Sequence, residues 1–279
     1  MDYSPDMPNY KYLDEGRTHM HTRHGNPIVG GSTMKSIIGN KEALFQWYGD
    51  MSAVAGLAFP SQDIKAEYEA VQAIKDWKEK ANAKKALDKK YPNFEKSRKA
   101  AVAHRDQKAD EGTLRHGELQ GYINRCIAEL GGKPSLFIPE GASESLRRFA
   151  DWSHENVEQF HFTEAHCYHD DISGIPVGGI ADIGLTLKDG RRLVGDHKSS
   201  KYAYEDQFLQ CAIYDVLLRY SGGLDRDGNK LFDWQLADGY VVFPFRSEPF
   251  TPEFRWNADQ FRKGVESTAD LYKLLELNK

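Results

Sequence analysis

The sequence predicts an α/β protein with a large helical N-terminal part. Residues 62–105 are rich in Ala, Lys and Glu with few helix breakers, which predicts long helices. From about residue 160 the apolar pattern changes to the alternation of strands. Because no repeat or clean linker divides the chain, we expect one domain over residues 31–279, preceded by an arm over residues 1–30.

Composition limits the functional classes. The chain has 279 residues, 40% of them apolar, and a net charge of −5, so overall charge does not indicate a nucleic-acid partner. Its three cysteines are odd in number and widely separated, which is unsuited to a disulfide framework and favours a reducing cytoplasm. The apolar runs are short and the N-terminus is polar, so we expect a cytoplasmic protein with no signal peptide and no membrane partner.

The arm mixes Tyr, Pro, Asp and His without a period, and we expect it to be extended and partly ordered. His19, His21 and His24 lie in it without a cysteine or acidic partner at fixed spacing. Such histidines are more often solvated than metal-bound.

Residues 30–36 superficially resemble a phosphate-binding loop, but Met34 stands where that loop needs a glycine before its lysine. We therefore expect Ser32 or Thr33 to cap a short helix, followed by a second helix over residues 41–57.

A helical hairpin is predicted over residues 62–105, broken near Tyr91 because the following proline disfavours helix at the residue before it. Residues 74–110 hold twelve Lys or Arg against six Asp or Glu, a local charge of +6. We expect residues 58–110 to form a helical insertion that handles a phosphate backbone, although a solvated helix face would give the same pattern.

The catalytic core is expected over residues 111–279. A new helix is predicted to open at residues 111–116, with Thr113 or a neighbour as its cap, and to end at the glycine pair 131–132. Its buried stripe would be Leu119, Ile123, Ile127 and Leu130. His116 would lie in its first turns, on a face that could look into a cleft.

Further elements follow along the core. They are a helix over 143–159, an antiparallel meander over 160–168, 176–187 and 191–198, a helix from Ser200 or Tyr202 to about 220, a strand over 239–245 and a helix over 257–277. Residues 225–229 resemble part of a calcium loop, but the remaining ligand spacing is missing and a turn is expected.

Most of the candidate catalytic residues lie between residues 178 and 214. Asp196 and Lys198 lie two apart on a strand and point the same way, while His197 points to the other face. Asp182 lies on the neighbouring strand and can sit beside Asp196. Two carboxylates repel unless a cation lies between them, and carboxylate oxygens suit Mg²⁺ or Mn²⁺. Lys198 could orient a water or stabilise negative charge developing on phosphorus.

The following helix adds Gln210 and Tyr214, which are four residues apart and share one face. An amide and a phenol there can hydrogen-bond a phosphate or Lys198. A D-x-K on a strand by itself is most often a surface ion pair, so the conjunction of these residues carries the argument.

This set resembles the PD-(D/E)xK nucleases, in particular the RecB-like exonuclease branch that includes phage, CRISPR-associated and mitochondrial genome maintenance exonucleases. The matching elements, in the family's order, are Gly112-Thr113-x-x-His116, Glu164, Gly179-Ile180-Ala181-Asp182, Gly195-Asp196-His197-Lys198-Ser199-Ser200 and Gln210-x-x-x-Tyr214. The segment from Ser32 to Trp47 also resembles the helical lead-in of phage members, so the resemblance covers most of residues 30–220.

The resemblance implies a restriction-endonuclease-like core, which is a central mixed β-sheet flanked by helices, and metal-dependent DNA exonuclease activity. It implies that Mg²⁺ or Mn²⁺ is bound by His116, Asp182, Asp196 and the backbone carbonyl of His197, and that Lys198 is catalytic with Glu164 at the edge of the site. It further implies that Gln210, Tyr214, Ser199 and Ser200 contact DNA, either single-stranded or an end-bearing duplex. A setting in recombination, repair or phage DNA metabolism, in a bacterial or phage-infected cell, would fit this family.

Several alternatives stay open. Some relatives carry four cysteines for an iron–sulfur cluster, and with three in unsuitable places we expect none here. A zinc site at His161, His166, Cys167 and His169 is disfavoured because alternation splits them between two faces. A structure-specific endonuclease, or a non-catalytic DNA-binding or assembly subunit, would share the same motif. A homo-oligomer or a recombination partner protein also fits.

Overall fold

The computed structural model describes residues 10–15, 18–38, 67, 70–71 and 73–275, with backbone alone at 15, 18, 77 and 93–111. The chain forms two compact units, one of Met1–Gly39 with Leu114–Lys279 and one of Asn40–Thr113. The predicted helix over residues 41–57 lies outside the described residues. Every residue of the candidate site belongs to the first unit.

A main sheet organises the first unit. Its strands among the described residues are β4 (Val29–Gly30), β5 (Val157–Ile172), β6 (Ile175–Leu187), β7 (Arg192–Lys198), β8 (Gly223–Leu224), β9 (Lys230–Phe232), β10 (Gly239–Pro244) and β11 (Glu253–Arg255). Their order is β11-β10-β7-β6-β5-β8-β9, and β4 also pairs with β6. The β5-β6-β7 meander is antiparallel as predicted, while β10 joins β7 and β4 joins β6 in parallel, so the sheet is mixed.

The described helices are α1 (Gly31–Lys35), α2 (Trp77–Lys90), α3 (Pro92–Leu130), α4 (Glu144–Asn156), α5 (Glu205–Ser221) and α6 (Ala258–Leu275). Those of the first unit cover both faces of the main sheet. Buried residues of α1, α5 and α6 share one apolar cluster with one face of the sheet, and those of α3 and α4 share a second cluster with the other. The α/β class with a mixed sheet flanked by helices is therefore confirmed.

The N-terminal arm is more ordered than the sequence indicated. Strands β1 (Tyr10–Glu15), β2 (Thr18–Arg23) and β3 (Asn26–Pro27) pair in sequence as a separate arm sheet. Tyr10 is buried, stacks on Tyr168 with ring centroids 5.4 Å apart, and its hydroxyl lies 2.7 Å from His21 Nδ1. The expectation of three solvated histidines is therefore wrong for His21.

Some helix ends agree with those predicted from local sequence, and others do not. The break at Tyr91 is confirmed, with Pro92 as the first residue of α3. The predicted start of a helix near Thr113 is wrong, because α3 runs on through that point. One helical glycine at position 112 costs only about 1 kcal/mol, too little to interrupt a run of good helix formers. Similarly, α1 is capped by the backbone of Gly30 with no side-chain cap, not by Ser32 or Thr33.

Smaller corrections concern element ends. Helix α5 begins at Glu205, later than expected, where the Gln207 side chain accepts the backbone N–H of Tyr204. Leu130 is exposed rather than part of the buried stripe of α3. The turn at residues 225–229 is confirmed, since Asp225 accepts backbone N–H groups from within it. The short strands β8, β9 and β11 were not predicted.

A buried carboxylate ties α5 to the rest of the first unit. Asp215 is fully buried and accepts hydrogen bonds from Trp234 Nε1 at 2.9 Å, Ala237 N at 3.0 Å and Tyr240 OH at 3.1 Å. Arg262 of α6 completes the set at 2.8 Å. Because the donors come from the β9–β10 loop, from β10 and from α6, this network ties the helix that carries Gln210 and Tyr214 to three elements.

Among the described residues, none of the helices is both long enough and apolar enough to cross a membrane.

Candidate active site

The candidate site lies where the edge of β6 is left unpaired. One edge of β6 pairs with β5 along most of its length. The other edge pairs with β7 over residues 183–186 and with β4 over residues 177–178, so residues 179–182 have no strand partner there among the described residues. Asp182 lies in this gap and its Oδ2 accepts the backbone N–H of His197 at 2.9 Å. The Asp182 side chain therefore accepts the backbone N–H of His197, which would bond a carbonyl of β6 if the β6–β7 pairing continued.

The two carboxylates face each other across the hairpin. Ile183 pairs with Gly195, so Asp182 and Asp196 form the next opposed pair, and opposed residues of an antiparallel pair share a face. Lys198 joins them: its Nζ lies 2.9 Å from Asp196 Oδ1 and 2.6 Å from Oδ2. The His197 ring lies on the opposite face against Phe149, as strand alternation predicted.

Glu164 continues this row of acids onto β5. Its neighbours Thr163 and Ala165 pair with Ile183 and Ala181, which places Glu164 opposite Asp182. Glu164 adopts a left-handed backbone with φ of 52°, a conformation that costs a non-glycine residue about 1 kcal/mol or more. Such strain persists only where the surrounding structure holds it, and here it lies beside the two aspartates.

His116 reaches the row from α3. Its Nε2 lies 3.0 Å from the carbonyl oxygen of His197, and its Nδ1 lies 3.8 Å from Glu164 Oε1. The carboxylate of Glu164 raises the pKa of His116, against the effect of burial, and Asp182 adds to the increase. The sequence placed His116 near Asp182 only through the family resemblance, and the structure brings the two together.

Helix α5 supplies an amide and a phenol. Gln210 Oε1 lies 3.5 Å from Lys198 Nζ, and Gln210 Nε2 donates to Tyr214 OH at 2.8 Å. The Tyr214 ring is held between two glycines: a Cβ added at Gly31 would lie 3.1 Å from it, and one added at Gly179 only 2.6 Å from it. Both glycines are needed because α1 and β6 approach the ring this closely.

In the ion pair of Asp196 and Lys198, burial and the charge of the partner shift the pKa of each group in opposite directions. Burial raises the pKa of Asp196, and the negative charge of Asp182 raises it further, although Lys198 opposes both. Burial acts to lower the pKa of Lys198, but Asp196 and Asp182 outweigh it and the net shift is upward. Burial, with the two aspartates, raises the pKa of Tyr214 well above its usual value, so its phenol stays protonated.

The donor set fits a divalent cation. Ligand atoms of His116, Asp182 and His197 all lie within 4.8 Å of one another. His116 Nε2 and the carbonyl oxygen of His197 lie within hydrogen-bond distance, 3.0 Å apart, and both atoms would serve as ligands of a cation bound there. Asp196 Oδ2 is buried 2.6 Å from Lys198 Nζ and has no aligned hydrogen bond within the described part of the chain, so it would serve as a further ligand.

The His197 ring offers a second kind of ligand. It packs among Phe149, Phe243 and Phe245, and its Nε2 is buried without a hydrogen-bond partner among the described residues. Burial, followed by the charges of His116 and Lys198, lowers its pKa well below the usual value, so the ring is neutral. Oxygen ligands suit Mg²⁺ and Mn²⁺ better than a second imidazole, which favours the carbonyl of His197 over its ring.

Two of the predicted residues do not join the cluster by hydrogen bonds. Ser199 is exposed at the end of β7. Ser200 directs its hydroxyl to the carbonyl of Tyr202 at 2.7 Å. Sequence reasoning also missed a member: Lys35 of α1 lies 3.3 Å from Gln210 Oε1. The sequence feature that could have indicated Lys35 is its position in residues 30–36, the segment that superficially resembles a phosphate-binding loop.

No model of a known protein family matches the chain, and no curated protein matches it.

Proposed function

We propose that this protein is a metal-dependent DNA exonuclease with a restriction-endonuclease-like core, of the RecB-like branch of the PD-(D/E)xK nucleases. The observation that carries the proposal is the meeting of His116 and Asp182 beside the ion pair of Asp196 and Lys198. They come from one helix and two strands, and the histidine is 66 positions from the first aspartate (182 minus 116). A chance D-x-K motif would not explain a distant histidine at the same place.

In this proposal His116, Asp182, Asp196 and the carbonyl of His197 hold Mg²⁺ or Mn²⁺. A bound divalent ion would supply Lewis acidity and neutralise charge on a phosphodiester. The chain's own groups would do the rest. Lys198, paired with Asp196 and turned toward Gln210, would donate to the phosphate as negative charge builds up on it. Glu164 would hold the His116 ring in orientation from its far side.

The proposed substrate is a DNA strand with a free end. Its phosphates would be met by Lys198 and by the Gln210–Tyr214 pair, whose amide and phenol lie in one hydrogen-bonded chain. The local charge of +6 over residues 74–110 supports a polyanionic partner. These features favour nucleic acid over a small uncharged substrate.

Release of nucleotides from end-labelled single- and double-stranded DNA in Mg²⁺ or Mn²⁺ tests the proposal. We expect Lys198→Ala to lower the rate about a hundredfold or more, the usual loss for a group that stabilises transition-state charge. Lys188→Ala is the matched control: this exposed lysine follows β6 and bonds the carbonyl of His154. Equal degradation by the wild type and Lys198→Ala would show that the site is wrongly assigned.

Covalently closed single-stranded circles separate the two modes of cleavage. An exonuclease leaves circles intact and degrades the same molecules once they are linearised. Cleavage of intact circles, abolished by Lys198→Ala, would instead establish an endonuclease that uses the same residues.

A further inference from the structure

Lys35 lies at the candidate site, 3.3 Å from Gln210 Oε1, and is not one of the proposed metal-binding or catalytic residues. It is the last residue of α1 and follows Met34, which is completely buried in the apolar cluster with α5. Met34 and the close contact of Gly31 with Ile213 and Tyr214 anchor α1 on α5. The position of the Lys35 ammonium is therefore set by the core, although its side chain keeps 16% of its surface exposed.

Two ammonium groups converge on one amide oxygen. Gln210 Oε1 lies 3.3 Å from Lys35 Nζ and 3.5 Å from Lys198 Nζ. The two lysines come from α1 and β7, so neither is placed by the other through the local chain. Because an amide carbonyl has two acceptor sites, Gln210 can hold both cations, and its NH₂ group is directed to Tyr214.

Among the described residues, the acid paired with Lys35 is Asp206. It lies one turn before Gln210 on α5, and its Oδ2 is 3.0 Å from Lys35 Nζ. That carboxylate is itself partly exposed, with 26% of its side-chain surface accessible. A partly exposed pair of this kind is weak, so an arriving anion can compete for the ammonium at little cost.

We propose that Lys35 is a substrate-binding residue that contacts a backbone phosphate next to the one held at Asp182, Asp196 and Lys198. The ligand class is the phosphodiester backbone of a nucleic-acid strand, and the inference rests on the proposed function. Lysine acts on phosphate as a mobile point charge, and Lys35 can exchange Asp206 for phosphate oxygen without moving α1. Gln210 then keeps both lysines at a fixed separation along the strand.

A structural role predicts a different pattern of variants. If Lys35 only joins α1 to α5, removing either partner of the ion pair has the same effect. If it binds phosphate, Asp206 competes with the substrate, so Lys35→Ala and Asp206→Asn have opposite or unequal effects on affinity. The comparison of these two variants therefore separates the two roles.

Binding of a fluorescent oligothymidylate with Ca²⁺ in place of Mg²⁺ provides the test, measured by anisotropy over a range of salt. We expect Lys35→Ala to bind about tenfold more weakly and to lose about 0.7 from the slope of log affinity against log salt, the value for one single-strand phosphate contact. Lys35→Arg should restore most of the affinity. Asp206→Asn should bind at least as tightly as the wild type.

Cleavage assays on the same variants complete the test. Lys35→Ala should raise KM with a smaller change in kcat, because it removes binding made before the chemical step. An unchanged salt slope in Lys35→Ala, or equal losses in Lys35→Ala and Asp206→Asn, would overturn the assignment while leaving a nuclease that still requires Lys198. A wild type that neither binds nor cleaves DNA would overturn the proposed function and this inference together.

Discussion

Two histidines, the partly buried His21 of β2 and the buried His166 of β5, should make the protein lose stability in mild acid. His21 and His166 both have a pKa lowered from 6.5 to about 4, in each case mainly by burial. Between these values the unfolded chain binds more protons than the folded one, so stability falls as the pH falls. Above about pH 6.5 both forms are neutral and neither histidine contributes.

The magnitude follows from the size of the shift. At about pH 5 an unfolded histidine is almost fully protonated, while a folded one with a pKa near 4 is mostly neutral. The free energy of unfolding is therefore lower at pH 5 than at pH 7 by about 2 kcal/mol per histidine. Part of the shift of His21 comes from the charge of His166, so the two losses do not simply add.

Urea unfolding at about pH 7 and pH 5 measures this loss. Replacing His166 in His166→Gln should reduce the loss between the two pH values by about 2 kcal/mol relative to the wild type. His154→Gln, at an exposed position in the last turn of α4, is the matched control and should lose as much as the wild type. Equal losses in all three proteins would refute the assignment of the acid sensitivity to the buried ring.

Three further changes have defined outcomes. Saturating Mn²⁺ at about a hundred times its Kd should stabilise the wild type by about 2.7 kcal/mol in thermal unfolding, and Asp182→Asn should abolish this gain; an equal gain in the variant would contradict the metal site. Asp215→Ala removes the acceptor of Trp234 Nε1 and Ala237 N and the buried partner of Arg262, and should cost at least about 3 kcal/mol in urea unfolding, whereas a loss under 1 kcal/mol would refute the network's importance. Gly132→Ala places a Cβ 2.3 Å from the Phe160 carbonyl oxygen and should cost more than about 2 kcal/mol. Gly121→Ala meets open space within α3 and should gain about 0.5–1 kcal/mol, so a matching loss at both glycines would contradict the packing argument.

The parts of the fold that follow from local pattern were predictable. The β6–β7 hairpin has alternating apolar residues and a glycine turn, and the alternation of Asp196, His197 and Lys198 follows from strand geometry alone. The break before Pro92 and the helix end at the glycine pair 131–132 were predictable for the same reason.

The missed parts depend on contacts between distant segments. The strands of the arm sheet lack a clear alternation, and their order comes from Tyr10 packing on Tyr168 and bonding His21. The left-handed backbone of Glu164 has no sequence signal, because glutamate rarely adopts it and only its neighbours hold it there. Lys35 could not be assigned to the site, since nothing local shows that Met34 docks α1 on α5.

The ring of Tyr214, held between Gly31 and Gly179, limits how this site can be altered in evolution or by design. The Tyr214 hydroxyl can be removed by itself, because Tyr214→Phe keeps the ring and therefore the spacing of α1 and β6. A side chain at either glycine is different, since its Cβ would lie 3.1 Å from the ring at Gly31 or 2.6 Å from it at Gly179 and would require the ring to shift. New specificities should therefore be reached through the lysines and Gln210, with the ring and its two glycines retained as an invariant spacer.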